Sequence, residues 1–271
     1  VYERPDDKEM GIGGSVSEDG NWLVLNIWKG TSPKNQVFFK NLTMSRAPVL
    51  PVIDKFEAEY SFIGNDGSKF YFKTDKDAPK GKIVAVDVLE ANKQWRDVVA
   101  ESSVTLEGVS LINNQFVINY LKDAYTEIRV HDLNGNYLKN IELPGIGSAG
   151  GFGGKRGDTE TFYSYSSFNT PPTIYRYDLK TGDSTVFRES KVKFNPTDYE
   201  VKQVKYTSKD GTEVPMFIVH KKGVKLNGMN PTLLYGYGGF SVSLTPSFSV
   251  SRLTWMEMGG VYAMPNLRGG G

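Results

Sequence analysis

Gln36-Val-Phe-Phe-Lys-Asn41-Leu42, Lys82-Ile-Val-Ala-Val-Asp87-Val88, Glu127-Ile-Arg-Val-His-Asp132-Leu133 and Ile174-Tyr-Arg-Tyr-Asp178-Leu179 are four versions of one segment. Each is a β-rich run that ends on Asn or Asp and continues into an aliphatic residue. The Asn/Asp position recurs roughly every 45 residues. A turn signal and a further β-rich run precede each segment: Asp19-Gly20 before residues 22–28, Asp66-Gly67 before 69–73, Asn113-Asn114 before 115–120 and Gly157-Asp158 before 161–165. Such pairs suit type I′ hairpin turns, whose central residues need positive φ.

Short strands grouped in fours at this period are the pattern of a β-propeller, in which each blade buries its faces against its neighbours. An antiparallel sandwich of evenly spaced hairpins is the competing reading, and the even Asp-aliphatic register favours the propeller. The expectation is a partial β-propeller of about four blades over residues 1–190. An arc of this kind leaves two blade faces uncovered, so it is expected to be poorly stable alone.

The texture changes after a linker at 189–198 that contains Pro196. Residues 201–207 and 214–220 read as two antiparallel strands joined by Ser208-Lys-Asp-Gly211. Thr232-Leu-Leu-Tyr235 reads as a buried central strand. Residues 246–258 have helical character, with Ser247 or Ser249 as N-cap and Gly259-Gly260 as the stop. Val261-Tyr-Ala-Met-Pro-Asn266 is a further strand. That order, over residues 191–271, reads as the opening of an α/β-hydrolase domain.

Composition narrows the chemistry. The formal net charge is +1 and the basic residues are scattered, so nothing in bulk favours nucleic acid or an anionic membrane. No apolar run approaches the roughly 18 residues needed to span a bilayer. The absence of Cys excludes disulfide and thiolate chemistry, and His131 and His220 fall in no metal-ligand spacing. The chain opens without Met and without a basic-then-apolar leader, so the start of the gene product is expected upstream. A cytoplasmic setting is favoured over a periplasmic one.

Two motif matches fail on context. Gly145-Ile-Gly147-Ser-Ala-Gly150 fits G-x-G-x-x-G, but Pro144 precedes it and glycines follow where a helix must start, so it reads as a blade-connecting loop. Ser148 within it lacks the first Gly of a G-x-S-x-G elbow, because Ile146 stands there. The run Leu234-Tyr-Gly-Tyr-Gly-Gly-Phe240 is different. Glycines at 236, 238 and 239 turn the backbone sharply at a strand end, where α/β folds place their sites. On residues alone, a ligand-facing loop and a structural turn with core-packed aromatics fit equally well.

Longer stretches resemble the prolyl oligopeptidase family. They are residues 208–223, the run ending at Phe240, Ser249-Val-Ser-Arg-Leu253 and Asn266-Leu-Arg-Gly-Gly-Gly271, with Phe56-Glu-Ala-Glu-Tyr60, Phe72-Lys-Thr-Asp75, Asp158-Thr-Glu160 and Val186-Phe-Arg-Glu189 in the first part. The resemblance covers essentially the whole chain, and Gly-Gly-Phe240 favours this family over the related oligopeptidase B. It implies a serine endopeptidase that cleaves after proline in short peptides beneath a propeller that screens access. It also implies a monomer that needs no metal or organic cofactor.

By the same resemblance, Tyr237 matches the oxyanion-donating tyrosine, and Phe240 matches an aromatic of the substrate pocket. Trp28 and Thr31 stand where some members place Arg and Cys against outer substrate residues, which leaves subsite preference open. In this family the Ser, Asp and His of the triad follow the Arg-Gly-Gly-Gly run. None is expected in these residues, and the chain alone is expected to be inactive. His131 and His220 are expected to be surface or structural residues. The rival readings are a non-catalytic propeller binding module with a degenerate hydrolase appendage, and a dipeptidyl- or acylaminoacyl-type exopeptidase.

Overall fold

The computed structural model describes residues 2–3 and 7–270. Four successive antiparallel sheets of four strands account for the repeat. The first holds β1 (Met10–Val16), β2 (Trp22–Lys29), β3 (Asn35–Asn41) and β4 (Leu50–Ile53). The second holds β5 (Tyr60–Asp66), β6 (Lys69–Thr74), β7 (Lys82–Asp87) and β8 (Arg96–Val99). The third holds β9 (Thr105–Ile112), β10 (Gln115–Lys122), β11 (Tyr125–Asp132) and β12 (Tyr137–Ile141). The fourth holds β13 (Ser148–Gly153), β14 (Glu160–Ser167), β15 (Thr170–Asp178) and β16 (Ser184–Arg188). Each is a simple meander in chain order, the construction of a propeller blade.

The repeated Asn/Asp has a physical cause. It is the last residue of the third strand in every one of these sheets, and its side chain accepts from the backbone N–H two residues on. The distances are 2.9 Å for Asn41 and Thr43, 3.0 Å for Asp87 and Leu89, 2.8 Å for Asp132 and Asn134, and 2.8 Å for Asp178 and Lys180. This Asx turn stops the strand. The aliphatic residue that follows then donates its N–H to the residue just before the second strand: Leu42 to Asn21 at 2.7 Å, Val88 to Ser68 at 3.0 Å and Leu179 to Thr159 at 2.9 Å.

The turns between first and second strands are less uniform than the sequence suggests. Asn113 (φ 50) and Asn114 (φ 54) have the positive φ of a type I′ turn at both positions. At Asp19-Gly20 and Asp66-Gly67 only the glycine does, with φ 74 and 60. Ser17 O accepts from Gly20 N at 2.8 Å, closing a turn that needs a single left-handed residue at its end. At Gly157-Asp158 neither residue does, and the turn is closed instead by Asp158 N to Lys155 O at 3.0 Å. Of the loop expected at 145–150, residues 148–150 instead begin β13, whose pairing with β14 absorbs the glycines through a bulge at Gly151/Gly153.

The chain divides into two compact units. The first comprises Val1–Ile118, Arg129–Lys139 and Gly154–Asp158. Its core joins the facing sides of the first two sheets: Trp22, Val37 and Phe39 against Phe70, Phe72 and Val84. Trp22 meets Phe70 edge-on at 5.4 Å and donates its indole N–H to Gly67 O at 3.0 Å. Asn35, buried, ties the same sheets together, donating to Tyr60 O at 2.8 Å and accepting from Tyr60 N at 2.7 Å. Arg156 gathers three first-to-second-strand turns. Its guanidinium donates to Asn65 O at 2.6 Å, Asp66 at 3.2 Å and Asn114 at 2.6 Å, while its backbone N–H reaches Glu18 at 2.9 Å.

The second unit comprises Asn119–Ile128, Asn140–Gly153 and Thr159–Gly271. Beyond the fourth sheet it holds β17 (Tyr199–Thr207), β18 (Glu213–Lys221), β19 (Thr232–Leu234), α1 (Val250–Glu257) and β20 (Val261–Pro265). Their sheet order is β17-β18-β20-β19. The β19–β20 pair is parallel, and α1 is the crossover between them. β20 is buried along its whole length. Within these residues the apolar run of β19 pairs on one side, with β20. Ser249 takes the N-cap position without a side-chain cap, and Gly259, at φ 88, ends the helix.

The core of this unit centres on Phe168, from the turn between β14 and β15. Its ring centroid lies 5.4 Å from Phe217 and 5.8 Å from Tyr262, and the Arg252 guanidinium covers it at 5.5 Å. Phe168→Ala should lower unfolding free energy by about 3–5 kcal/mol, as expected for a buried aromatic. Arg156→Ala should cost about 1–3 kcal/mol through lost charge-assisted hydrogen bonds. Urea unfolding of the two variants checks both values.

Candidate functional site

The loop that follows β19 is held by backbone contacts its glycines permit. Tyr235 N donates to Ala263 O of β20 at 3.0 Å, extending the parallel pairing by one bond. Gly238 has φ +67, and a Cβ there would stand 2.8 Å from Leu267 Cβ and 3.1 Å from Arg268 O. Only glycine satisfies both the conformation and the close approach. Phe240 (φ 53) and Ser241 (φ 54) then place two non-glycine residues in the left-handed region, at a cost of order 1 kcal/mol or more each. Two hydrogen bonds hold them: Ser241 N to Gly269 O and Val242 N to Gly239 O, both 3.0 Å.

The segment 266–270 is the floor on which this loop rests. Asn266 N donates to Pro215 O at 2.9 Å, and its side-chain amide donates to Leu244 O at 2.8 Å. Gly270 N closes the turn onto Leu267 O at 3.2 Å. The Arg268 guanidinium pairs with the Asp210 carboxylate and donates to Ser208 Oγ at 3.2 Å, both in the hairpin turn between β17 and β18. Asp210 also accepts from Thr212 N at 3.2 Å, fixing its own turn. The two motifs quoted from the ends of the sequence pattern are thus one packed structure. Gly271 lies outside the described residues.

Tyr237 emerges from this loop with 49% of its surface exposed, and Phe240 with 92%. They present one O–H donor and one apolar ring on the same turn, at the carboxyl end of a parallel strand. The loop after Phe240 is tied down by the fourth sheet: Ser148 Oγ donates to Pro246 O at 2.7 Å, and Phe248 N donates to Ser166 Oγ at 3.3 Å. Ser148 therefore has a structural partner in the segment before α1.

Trp28 and Thr31 belong to the first unit. Trp28, 39% exposed on β2, lies across Gly11 and Gly13 and lines a cleft of about 440 Å³ together with Asn26, Asn35 and Tyr60. Thr31 is exposed in the turn that follows β2. His131 and His220, expected as surface or structural residues, are both buried. Their Nδ1 atoms lie 3.0 Å from the carbonyls of Gly135 and Lys221. Among the described residues, no group of three or more His, Cys, Asp or Glu side chains could hold a metal ion. Sequence reasoning missed the Arg268–Asp210 pair. Both residues stand inside the quoted motifs, but no local pattern couples side chains 58 positions apart.

Residues 1–190 match the family model described as the N-terminal β-propeller domain of prolyl oligopeptidase. The prolyl endopeptidase of Elizabethkingia meningoseptica is 43% identical over 261 residues, which are 96% of this chain and 37% of that protein. Prolyl oligopeptidase A of Amanita bisporigera is 34% identical over 282 residues, 100% of this chain and 37% of that protein. The apo structure of prolyl oligopeptidase B from Galerina marginata superposes with a TM-score of 0.92 at 36% identity, covering 100% of this chain and 40% of that one. The chain thus spans about two fifths or less of the length of these relatives.

The electrostatics of the floor are testable directly. The Arg268 guanidinium, with the Thr212 N–H, lowers the Asp210 carboxyl from 3.8 to about 2. A depressed carboxylate contributes stability that is fully present above its unfolded pKa and is lost as pH falls through its folded one. The pair should therefore persist from neutral pH down to about pH 4 and dissolve only towards pH 2. Carboxyl ¹³C NMR should show Asp210 titrating near 2, and Arg268→Gln should move that midpoint back towards 3.8.

Proposed function

The chain belongs to the prolyl oligopeptidase family, and on that premise we propose that it serves a serine endopeptidase cleaving short peptides on the carboxyl side of proline. Residues 1–190 act as part of a propeller that screens access, and residues 191–271 open the peptidase domain. The observation that carries the reading is the Tyr237 loop. It stands at the carboxyl end of β19, in a β–α–β unit, with a phenol half exposed on a backbone fixed by its glycines.

In this reading the Tyr237 O–H donates one hydrogen bond to the oxyanion that forms when a nucleophile attacks the scissile carbonyl. The donor's anchoring before substrate arrives means that little reorganisation accompanies charge development. Phe240 offers an apolar face to the proline ring. The nucleophilic Ser and its Asp and His partners are assigned to parts of the longer protein that this chain does not span. The reaction is hydrolytic, needs no cofactor, and runs in a monomer.

Tyr237→Phe, made in the protein that carries this chain, should lower kcat for a proline-containing peptide about 10²–10³-fold with KM little changed. Steady-state kinetics on a peptide blocked at both ends measures this and also separates endopeptidase from exopeptidase action. An unchanged kcat removes Tyr237 from the oxyanion role. Absence of any serine-reagent-sensitive hydrolysis favours the non-catalytic binding module.

A further inference from the structure

We infer that the Arg268–Asp210 pair, with Ser208, is a clamp that positions the Tyr237 loop, so that both residues act on the reaction through Tyr237 rather than on substrate. The inference rests on the oxyanion reading of Tyr237 for its catalytic consequence, but its mechanical part stands on geometry alone. The route is short and continuous. Asp210 and Ser208 sit in the β17–β18 turn, itself closed by Gly211 N to Ser208 O at 2.9 Å and Ser208 N to Thr212 O at 2.8 Å. They hold the Arg268 guanidinium, and Arg268 is the residue between Leu267 and Gly269. Leu267 fills the space under Gly236 and Gly238, and Gly269 O accepts from Ser241 N at 3.0 Å.

The loop needs such a restraint. Phe240 and Ser241 both occupy left-handed backbone, a combination that persists only when the surroundings over-determine it. Besides Tyr235 N on Ala263 O and Val242 N on Gly239 O, the turn at Phe240–Ser241 is held by Ser241 N on Gly269 O, in a segment whose outer side is fixed by Arg268. A planar guanidinium suits this task, since it can meet a carboxylate and a hydroxyl at once in one orientation. The side chains of Arg268 and Asp210 are 59% and 52% exposed, and an ion pair of that exposure adds little to global stability. Its value is then local, in choosing one position of the turn. A small displacement of a donor from the oxyanion it must meet is costly in rate.

The test uses the protein that carries this chain, with Arg268→Gln, Asp210→Asn, and the exchanged pair Asp210→Arg with Arg268→Asp. Hydrogen exchange of the amides of 236–242 reads the clamp independently of activity. Both single variants should exchange Ser241 N–H at least about tenfold faster, while amides of β18 and β20 stay unchanged; local opening of this kind leaves the core protected. Unchanged exchange at Ser241 overturns the inference.

Kinetics read the consequence. Each single variant should lower kcat about tenfold with KM within about twofold, and the exchanged pair should recover most of the loss. In a Tyr237→Phe background Arg268→Gln should have almost no further effect, because the donor it positions is gone. An equal loss in both backgrounds overturns the role through Tyr237. If Tyr237→Phe itself leaves kcat unchanged, the oxyanion reading fails, and the exchange data alone decide whether the clamp exists.

Discussion

A four-stranded antiparallel sheet of short strands has two faces and cannot bury either by itself. Most of the first two hundred residues answers that constraint. Where the first two sheets face each other, the alternate residues turned inward are aromatic or β-branched, as at Phe39, Phe70, Phe72 and Val84. The polar exception, Asn35, is buried because it completes a backbone pairing with Tyr60 that spans two sheets. Phe168 does the corresponding work in the second unit. There a blade turn supplies the ring on which β18, β20 and α1 are packed.

The repeat was legible because its cause is local. An Asn or Asp that accepts from the N–H two residues ahead ends a strand wherever it occurs, so the sequence carries the punctuation directly. The third strands therefore end at the expected residues. The first-to-second-strand turns were only half legible, since a glycine in the pair reports one positive φ and says nothing of its neighbour. Residues 148–150 of β13 read as loop because their glycines mask a strand whose register comes from β14.

The site followed the same division. The glycines of the Tyr237 loop were readable as a sharp turn, because conformational demand is written at the residue that meets it. The floor beneath the loop was not, since Leu267, Arg268 and Asp210 meet it through contacts distant in sequence.

The Arg156 contacts also carry a kinetic meaning. They close separations of 138 residues to Glu18, 91 to Asn65 and 42 to Asn114. Chain entropy makes contacts of such range expensive until the intervening sheets are already formed. Contacts of this range are expected to form late, and an interaction formed after the barrier slows unfolding without hastening folding. One arginine in a four-residue turn is thus expected to act on the lifetime of the assembled sheets more than on the rate at which they assemble.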